Sequence, residues 1–328
     1  MRISVEAWSP EYSAGVDLGE PELVSVEDVR TDCETSDWKP VARCGEAPGV
    51  ETVAFVDGTR RIDARVFLTD GDAPPRAGVA GSIGVGAVMC DARGRTVTAG
   101  RRTRGSCAEI TYTGVTRHLA ASGGRSPGLV AGAGLDYAPM PVPGETLDLL
   151  VDAVHDHMRR LEADLAVATA DEGHLVFADG PLALMDPGKR RVIGYIKSHS
   201  KRYLGEAEET VLGALGCGER SPVFAFGARR PRYSWYVRLC ERDRNGHGWQ
   251  GLARCEVPAA LSIDAAIELA DASTALLPRF ASKPHWDRRA PQNLVPIAGL
   301  EQRLRHLLGE RELVYRMIRS AAGRLNGG

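Results

Sequence analysis

The sequence carries almost no excess of charge of either sign. Its formal net charge is −2 over 328 residues, so no global positive field is available to hold nucleic acid, and any such binding must come from local patches. Paired cysteines are missing too. Cys33, Cys44, Cys90, Cys107, Cys217, Cys240 and Cys255 form no Cys-x-x-Cys pair, and their number is odd. That argues against a zinc knuckle and against a secreted disulfide framework. The opening MRISVEAWSPEYSAG has no apolar core of the signal-peptide kind, and no apolar run approaches the roughly 18 residues of a membrane helix. Repeats and low-complexity tracts are absent. GVDLG at 15–19 and GSIGVG at 81–86 lack both the lysine of a phosphate loop and the strand–glycine–helix setting of a dinucleotide site. These absences leave a reduced, cytoplasmic, soluble protein without membrane contact as the expectation. Its composition, 43% hydrophobic and 26% charged, is that of an ordinary globular chain. The length suits one elaborated α/β domain or two small ones.

Residues 1–45 are mixed and rich in Pro, Gly, Asp and Glu. They read as an extension with little regular structure and one short helix near Val24–Val29, ahead of a domain spanning 46–328. From Thr52 the pattern changes. TVAFVD and RIDARVFLTD read as two strands, and AGSIGVGAVMCD and GRTVTAGRR as two more joined by a turn at Ala92–Gly94, so this region reads as an antiparallel meander. Glycines at 81, 84 and 86 weaken the third run as a strand. Residues 114–144 are rich in Gly and Pro and predict little. In ETLDLLVDAVHDHMRRLEADLAVATA, Leu147, Val151, Val154, Met158, Leu161 and Leu165 recur at spacings of four and three, which predicts a long amphipathic helix. HLVFADGPL, RRVIGYIKSHS, SPVFAFGAR, YSWYVRLCE and WQGLARCEV follow as strands. SIDAAIELADASTALL, with Ser262 as N-cap, LVPIAGLEQRLRHLLG and ELVYRMIRSAAGRL close the chain as helices. The order predicts one α/β domain on a mixed sheet.

Two short stretches raise a chemical question. VAFVDGTRR and LVFADGPL each carry an apolar run up to an Asp-Gly, at Asp57 and Asp179. Asp-Gly between two strand-like runs is the strongest short hairpin signal, and that reading suits Asp57–Gly58. It suits Asp179 less well, because Pro181 stops the strand and nothing resumes after it. The alternative is that both strands lie side by side and present their carboxylates at one edge, where open α/β sheets bind ligands. On the helical wheel Glu162 falls on the border of the buried stripe and can reach that rim. Asp148 and His155 share the border and read as its polar margin. Three converging carboxylates suit Mg²⁺ or Mn²⁺, hard ions that take oxygen ligands. Two such ions roughly 3.5–4 Å apart can activate a water and stabilise the leaving oxygen of a phosphodiester.

The ordered segments FVDGTRR, MRRLEADLA, VFADGPL, GYIKSHSKRYL and RRAPQNLVPIAGLEQRLRHLLG resemble the NurA family of DNA repair nucleases, especially its bacterial branch, over about residues 50–322. The resemblance implies a ribonuclease-H-like mixed sheet, an antiparallel meander plus parallel strands flanked by helices. It also implies a Mn²⁺- or Mg²⁺-dependent DNA nuclease with two ions, of the 5′–3′ exonuclease or single-strand endonuclease type. Such an enzyme acts in DNA end resection and double-strand break repair, as a homodimer partnered by a HerA-type hexameric ATPase. Asp57, Glu162 and Asp179 match the family's metal-holding acids. Archaeal relatives place a histidine near the start of the final helix. PIAGLEQ has none, and Glu301 is the nearest replacement, with His285, Asp287 and His306 in the neighbourhood. Lys197, at the end of GYIK, is expected to orient a phosphate or position the attacking water.

Other basic groups are candidate phosphate contacts: His199, Lys201 and Arg202, Arg101, Arg102 and Arg104, Lys189–Arg191, Arg229–Arg232 and Arg288–Arg289. Tyr233, Trp235 and Tyr236 lie among arginines and read either as base-stacking platforms or as core. Two rivals to the nuclease are a catalytically idle adaptor of a DNA-translocating ATPase and an actin-like phosphotransferase.

Overall fold

The computed structural model describes residues 2–5, 22–23, 29–42, 47, 49–92, 109–132, 134–182, 187–197, 201–228, 230–241, 249, 251–283 and 291–326. Its strands are β1 (Arg2–Val5), β2 (Glu22–Leu23), β3 (Val29–Arg30), β4 (Thr52–Thr69), β5 (Arg76–Asp91), β6 (Glu109–Ala121), β7 (Leu129–Val130), β8 (Asp136–Pro141), β9 (Leu175–Asp179), β10 (Val192–Ile196), β11 (Lys201–Arg202), β12 (Phe224–Phe226), β13 (Arg232–Arg238) and β14 (Leu252–Pro258). The helices are α1 (Leu147–Asp171), α2 (Glu206–Ala214), α3 (Ile263–Phe280), α4 (Val295–Leu307) and α5 (Arg311–Asn326). One 12-stranded sheet runs in the order β3-β12-β13-β14-β10-β9-β4-β5-β6-β8-β7, with β1 added along β4. At its centre β4, β9 and β10 are parallel, while β4, β5 and β6 form an antiparallel meander. The strand expected at GRTVTAGRR lies outside the described residues, and the third strand of the meander is β6. This mixed sheet with flanking helices is consistent with a ribonuclease-H-like fold.

The hairpin expected at Asp57–Gly58 does not form. TVAFVD and RIDARVFLTD are one 18-residue strand, and Asp57, Gly58 and Thr59 pair across to Gly86, Val85 and Gly84 of β5. The chain reverses instead at residues 70–75, where Gly71 takes a φ of +58° and two prolines follow. Gly58 is glycine for a different reason: it lies in extended backbone, and a Cβ there would meet Met158 Cγ and Glu162 Cδ of α1 at 3.0 Å. Gly81 of β5 serves close approach in the same way: a Cβ there would lie 2.9 Å from Val154 on α1. At Gly84 a Cβ would make an ordinary contact with Leu304 on α4, at 3.5 Å. These glycines do not break the strand, and the one at 81 lets α1 approach its face.

Alternation along β4 sorts its two faces. Val53 and Phe55 pack with residues of α3 and α4, and Ala54 and Val56 pack on Ala163 and Ala166 of α1. Phe55 stacks on Phe177 with centroids 5.5 Å apart and meets Phe280 edge-on at 4.9 Å. Each such buried ring contributes about 2–3 kcal/mol. Asp63 is the extra residue of a bulge between Ile62 and Ala64. Its buried carboxylate accepts from Arg61 (2.6 Å), Ser82 (2.5 Å) and Tyr137 (2.9 Å). Beyond the bulge, Ala64, Val66 and Leu68 pack on α5.

Ser262 caps α3 as expected, accepting from the Ala265 N–H, and Thr146, which the sequence reading did not single out, caps α1 by accepting from the Leu149 N–H. α2, β6, β7 and β8 were not predicted. The stretch read as a short helix near Val24–Val29 lies outside the described residues except for Val29, which is in β3. The N-terminal 45 residues add β1 and β3 to the main sheet. Glu34 is tied into the domain as well: its carboxylate takes both outer nitrogens of the buried Arg220, each at 2.8 Å, and the Val223 N–H at 2.6 Å. Among the described residues, no helix is long and apolar enough to cross a membrane.

Candidate metal centre

The parallel register of β4 and β9 pairs Phe55 with Phe177 and Val56 with Ala178. One residue further, Asp57 and Asp179 come side by side. β9 stops at Asp179 while β4 continues, still paired to β5, so the two acids stand at a notch in the sheet. Asp57 alternates with Phe55 and Val53, and so points to the α3–α4 face. There Glu301, buried on the second turn of α4, completes a cluster. Carboxylate oxygens of Asp57, Asp179 and Glu301 all lie within 4.8 Å of one another. Glu162 arrives from the opposite layer, on α1, where the missing side chain of Gly58 leaves it room.

The structure thus brings Asp57, Asp179 and Glu301 together and sets Glu162 at their flank. His306, on α4, is exposed and outside the cluster. His285 and Asp287 lie outside the described residues. Asp148 is solvent-exposed and His155 half-buried on α1.

Gathering these acids is electrostatically expensive. Burial, followed by the nearby Asp179, Glu162 and Glu301 carboxylates, raises the Asp57 pKa well above the usual carboxylate value, against the pull of Lys197. Glu162 rises to about 7, first through burial and then through Asp179, with Arg159 and the Gly58 backbone opposing. Asp57 is only 6% exposed, and its Oδ2 has no hydrogen-bond partner. An orphaned buried carboxylate oxygen facing two further carboxylates is the donor set that hard divalent cations take. The residues present therefore fit Mn²⁺ or Mg²⁺.

Three cations border the acids. Arg305, one turn beyond Glu301 on α4, donates to Glu301 Oε2 at 3.2 Å. Lys197, directly after β10, donates to Asp179 Oδ2 at 2.6 Å and to Asn293 Oδ1 at 3.3 Å. Asn293 is fully buried just before α4, and the neighbouring Gln292 carbonyl accepts from the Tyr195 hydroxyl at 2.6 Å. These bonds join the start of α4 to β10. On the other side Arg159 lines a small cleft with Glu162, Ala178, Asp179 and Leu182. The chain after Asp179 is pinned by buried polar groups: Glu256 accepts from the Leu182 N–H (2.8 Å) and from Arg254 (2.8 Å), and Arg232 donates to the Leu182 carbonyl (2.6 Å).

Sequence reasoning did not single out Asn293 or Arg159, although both lie in quoted segments. The only signal for Arg159 was its position one turn before Glu162.

Several candidate phosphate contacts are engaged elsewhere. Arg190 pairs with Asp171, Arg202 with Glu209, and Arg232 is buried. The side chains of Arg101, Arg102, Arg104, His199, Lys201, Arg229, Arg288 and Arg289 lie outside the described residues. Trp235 and Tyr236 are core residues, 0% and 1% exposed. Trp235 donates to Ser273 of α3 at 2.9 Å, so neither ring is open to a base.

No curated protein matches the chain in sequence. A family profile described as the NurA domain matches residues 148–302. The matched stretch holds Glu162, Asp179, Lys197, Asn293 and Glu301, and Asp57 lies upstream of it. Residues 148–302, just under half of the chain, are therefore similar to the NurA domain.

Proposed function

We propose that this protein is a divalent-cation-dependent deoxyribonuclease that hydrolyses phosphodiester bonds at DNA ends. The observation that carries the reading is the convergence of Asp57, Asp179 and Glu301 on one notch of the sheet, with Glu162 at its flank. Bound there, one or two Mn²⁺ or Mg²⁺ ions would lower the pKa of water and stabilise the leaving oxygen. Asp57, Asp179 and Glu301 supply the oxygens that hold the cation, and Glu162 adds negative charge from the helix side. Lys197 fixes the orientation of Asp179 through its 2.6 Å bond and offers a positive charge to a scissile phosphate. Asn293 restrains Lys197 in that position.

The match to the NurA domain supports DNA as the substrate. The resemblance in the bacterial branch supports the wider setting: end resection in double-strand break repair, a homodimer, and a HerA-type ATPase as partner. The test is degradation of linear DNA in Mn²⁺ by the wild type and by Asp57→Asn. Loss of cleavage in the variant, with folding intact by circular dichroism, is expected. Equal activity in the two proteins removes Asp57 from the mechanism. Calorimetry that detects no Mn²⁺ uptake by the wild type favours the idle adaptor instead.

A further inference from the structure

We infer that Arg159 is a phosphate-binding residue of this site, taking the non-bridging oxygens of a DNA phosphate beside the scissile one. The inference rests on the nuclease reading and extends it to substrate contact. Arg159 stands on α1 one turn before Glu162 and lines the cleft that Glu162 and Asp179 also line. It is half-buried. Its guanidinium is close enough to favour the ionised form of Glu162, and it has neither a hydrogen bond nor an ion pair to any described residue.

The other cations of the site are differently placed. Lys197 is held by Asp179 and Asn293 on the β10 side, and its charge acts on Asp57. Arg305, on α4, donates to Glu301, so of the three cations beside the acids Arg159 alone makes no hydrogen bond or ion pair to a described residue. Other arginines near the sheet core are saturated: Arg220 by Glu34 and Asp271, and Arg254 by Glu256 and Ser234. A planar guanidinium that is partly desolvated and points into an acid-lined cleft matches a phosphate bidentately, which an ammonium cannot do.

The experiment compares wild type, Arg159→Gln and Arg159→Lys for cleavage of linear DNA in Mn²⁺. It also measures anisotropy binding of a labelled oligonucleotide in Mg²⁺, with all three versions carrying Asp57→Asn. Mn²⁺ affinity by calorimetry and thermal stability are the structural controls. Arg159→Gln is expected to weaken oligonucleotide binding and raise KM roughly tenfold. It should also flatten the slope of log K against log salt by about 0.7–0.9, the share of one phosphate. Arg159→Lys is expected to keep the slope and still lose affinity, because the charge remains and the fork does not. If the wild type cleaves DNA and Arg159→Gln leaves KM, binding and salt slope unchanged, the inference falls and the nuclease reading stands. If the wild type neither cleaves nor binds DNA, both fall together.

Discussion

The cost of assembling the acids gives a quantitative test. Glu162 titrates at about 7 in the folded protein against 4.5 for an unperturbed glutamate. A carboxyl whose pKa is raised on folding stabilises the fold while it is protonated. That contribution is complete below pH 4.5 and is lost as pH climbs through 7. At about 1.4 kcal/mol per pH unit the difference is worth about 3 kcal/mol. With 328 residues and about 2.1 cal/mol/K of unfolding entropy per residue, 3 kcal/mol corresponds to about 4 °C in Tm. Asp57 is shifted in the same direction. Other groups act oppositely in parts of the range. His118, lowered to about 4 by burial and by His157, favours stability as pH rises between 4 and 6.5. Glu34, held low by Arg220 against the opposing effect of its own burial, matters only in acid. The assay is therefore a difference: Tm of the wild type minus Tm of Glu162→Gln, in chelator, from pH 5 to 8. The wild type should lose about 3–4 °C relative to the variant across that range, because at pH 5 part of the contribution is already gone, and saturating Mn²⁺ should remove most of the loss. Parallel profiles in chelator would refute the claim that Glu162 is held at the acid cluster at an electrostatic cost.

Gly58→Ala should leave the fold intact while displacing Glu162 and Met158, lowering stability by about 1–3 kcal/mol in urea titration and reducing Mn²⁺-dependent cleavage. Glu34→Gln should destabilise by about 3 kcal/mol, since the buried Arg220 then keeps Asp271 as its one carboxylate partner among the described residues, beside the Ser221 carbonyl; a Tm within 1–2 °C of wild type would show that residue 34 is dispensable. Lys197→Met should reduce cleavage and weaken DNA binding in Mg²⁺, because Asp179 loses its 2.6 Å partner; unchanged kcat and KM would remove Lys197 from the reaction.

The amino-acid sequence alone determined the periodic elements. The spacing of Leu147, Val151, Val154 and Met158 specified α1, Ser262 specified where α3 begins, and the apolar runs before Asp57 and Asp179 specified strands, because these signals act over a few residues. The same sequence misled at Asp57–Gly58. A local hairpin signal and a glycine that makes room for a helix look alike until the helix is in place. Tertiary structure alone decided how the acids share the site. On the helical wheel Glu162 sits at the border of the α1 stripe, within reach of the sheet rim, yet Glu301, named in the sequence only as a replacement for the family histidine and 244 positions from Asp57 in the numbering, is the acid that closes the cluster. The physical reason is the pleat. Asp57 and Asp179 alternate with Phe55 and Phe177 and so face α4, while Gly58 and Glu162 belong to the α1 side. Which helix covers which face is set by long-range packing, and no pattern of neighbouring residues encodes it.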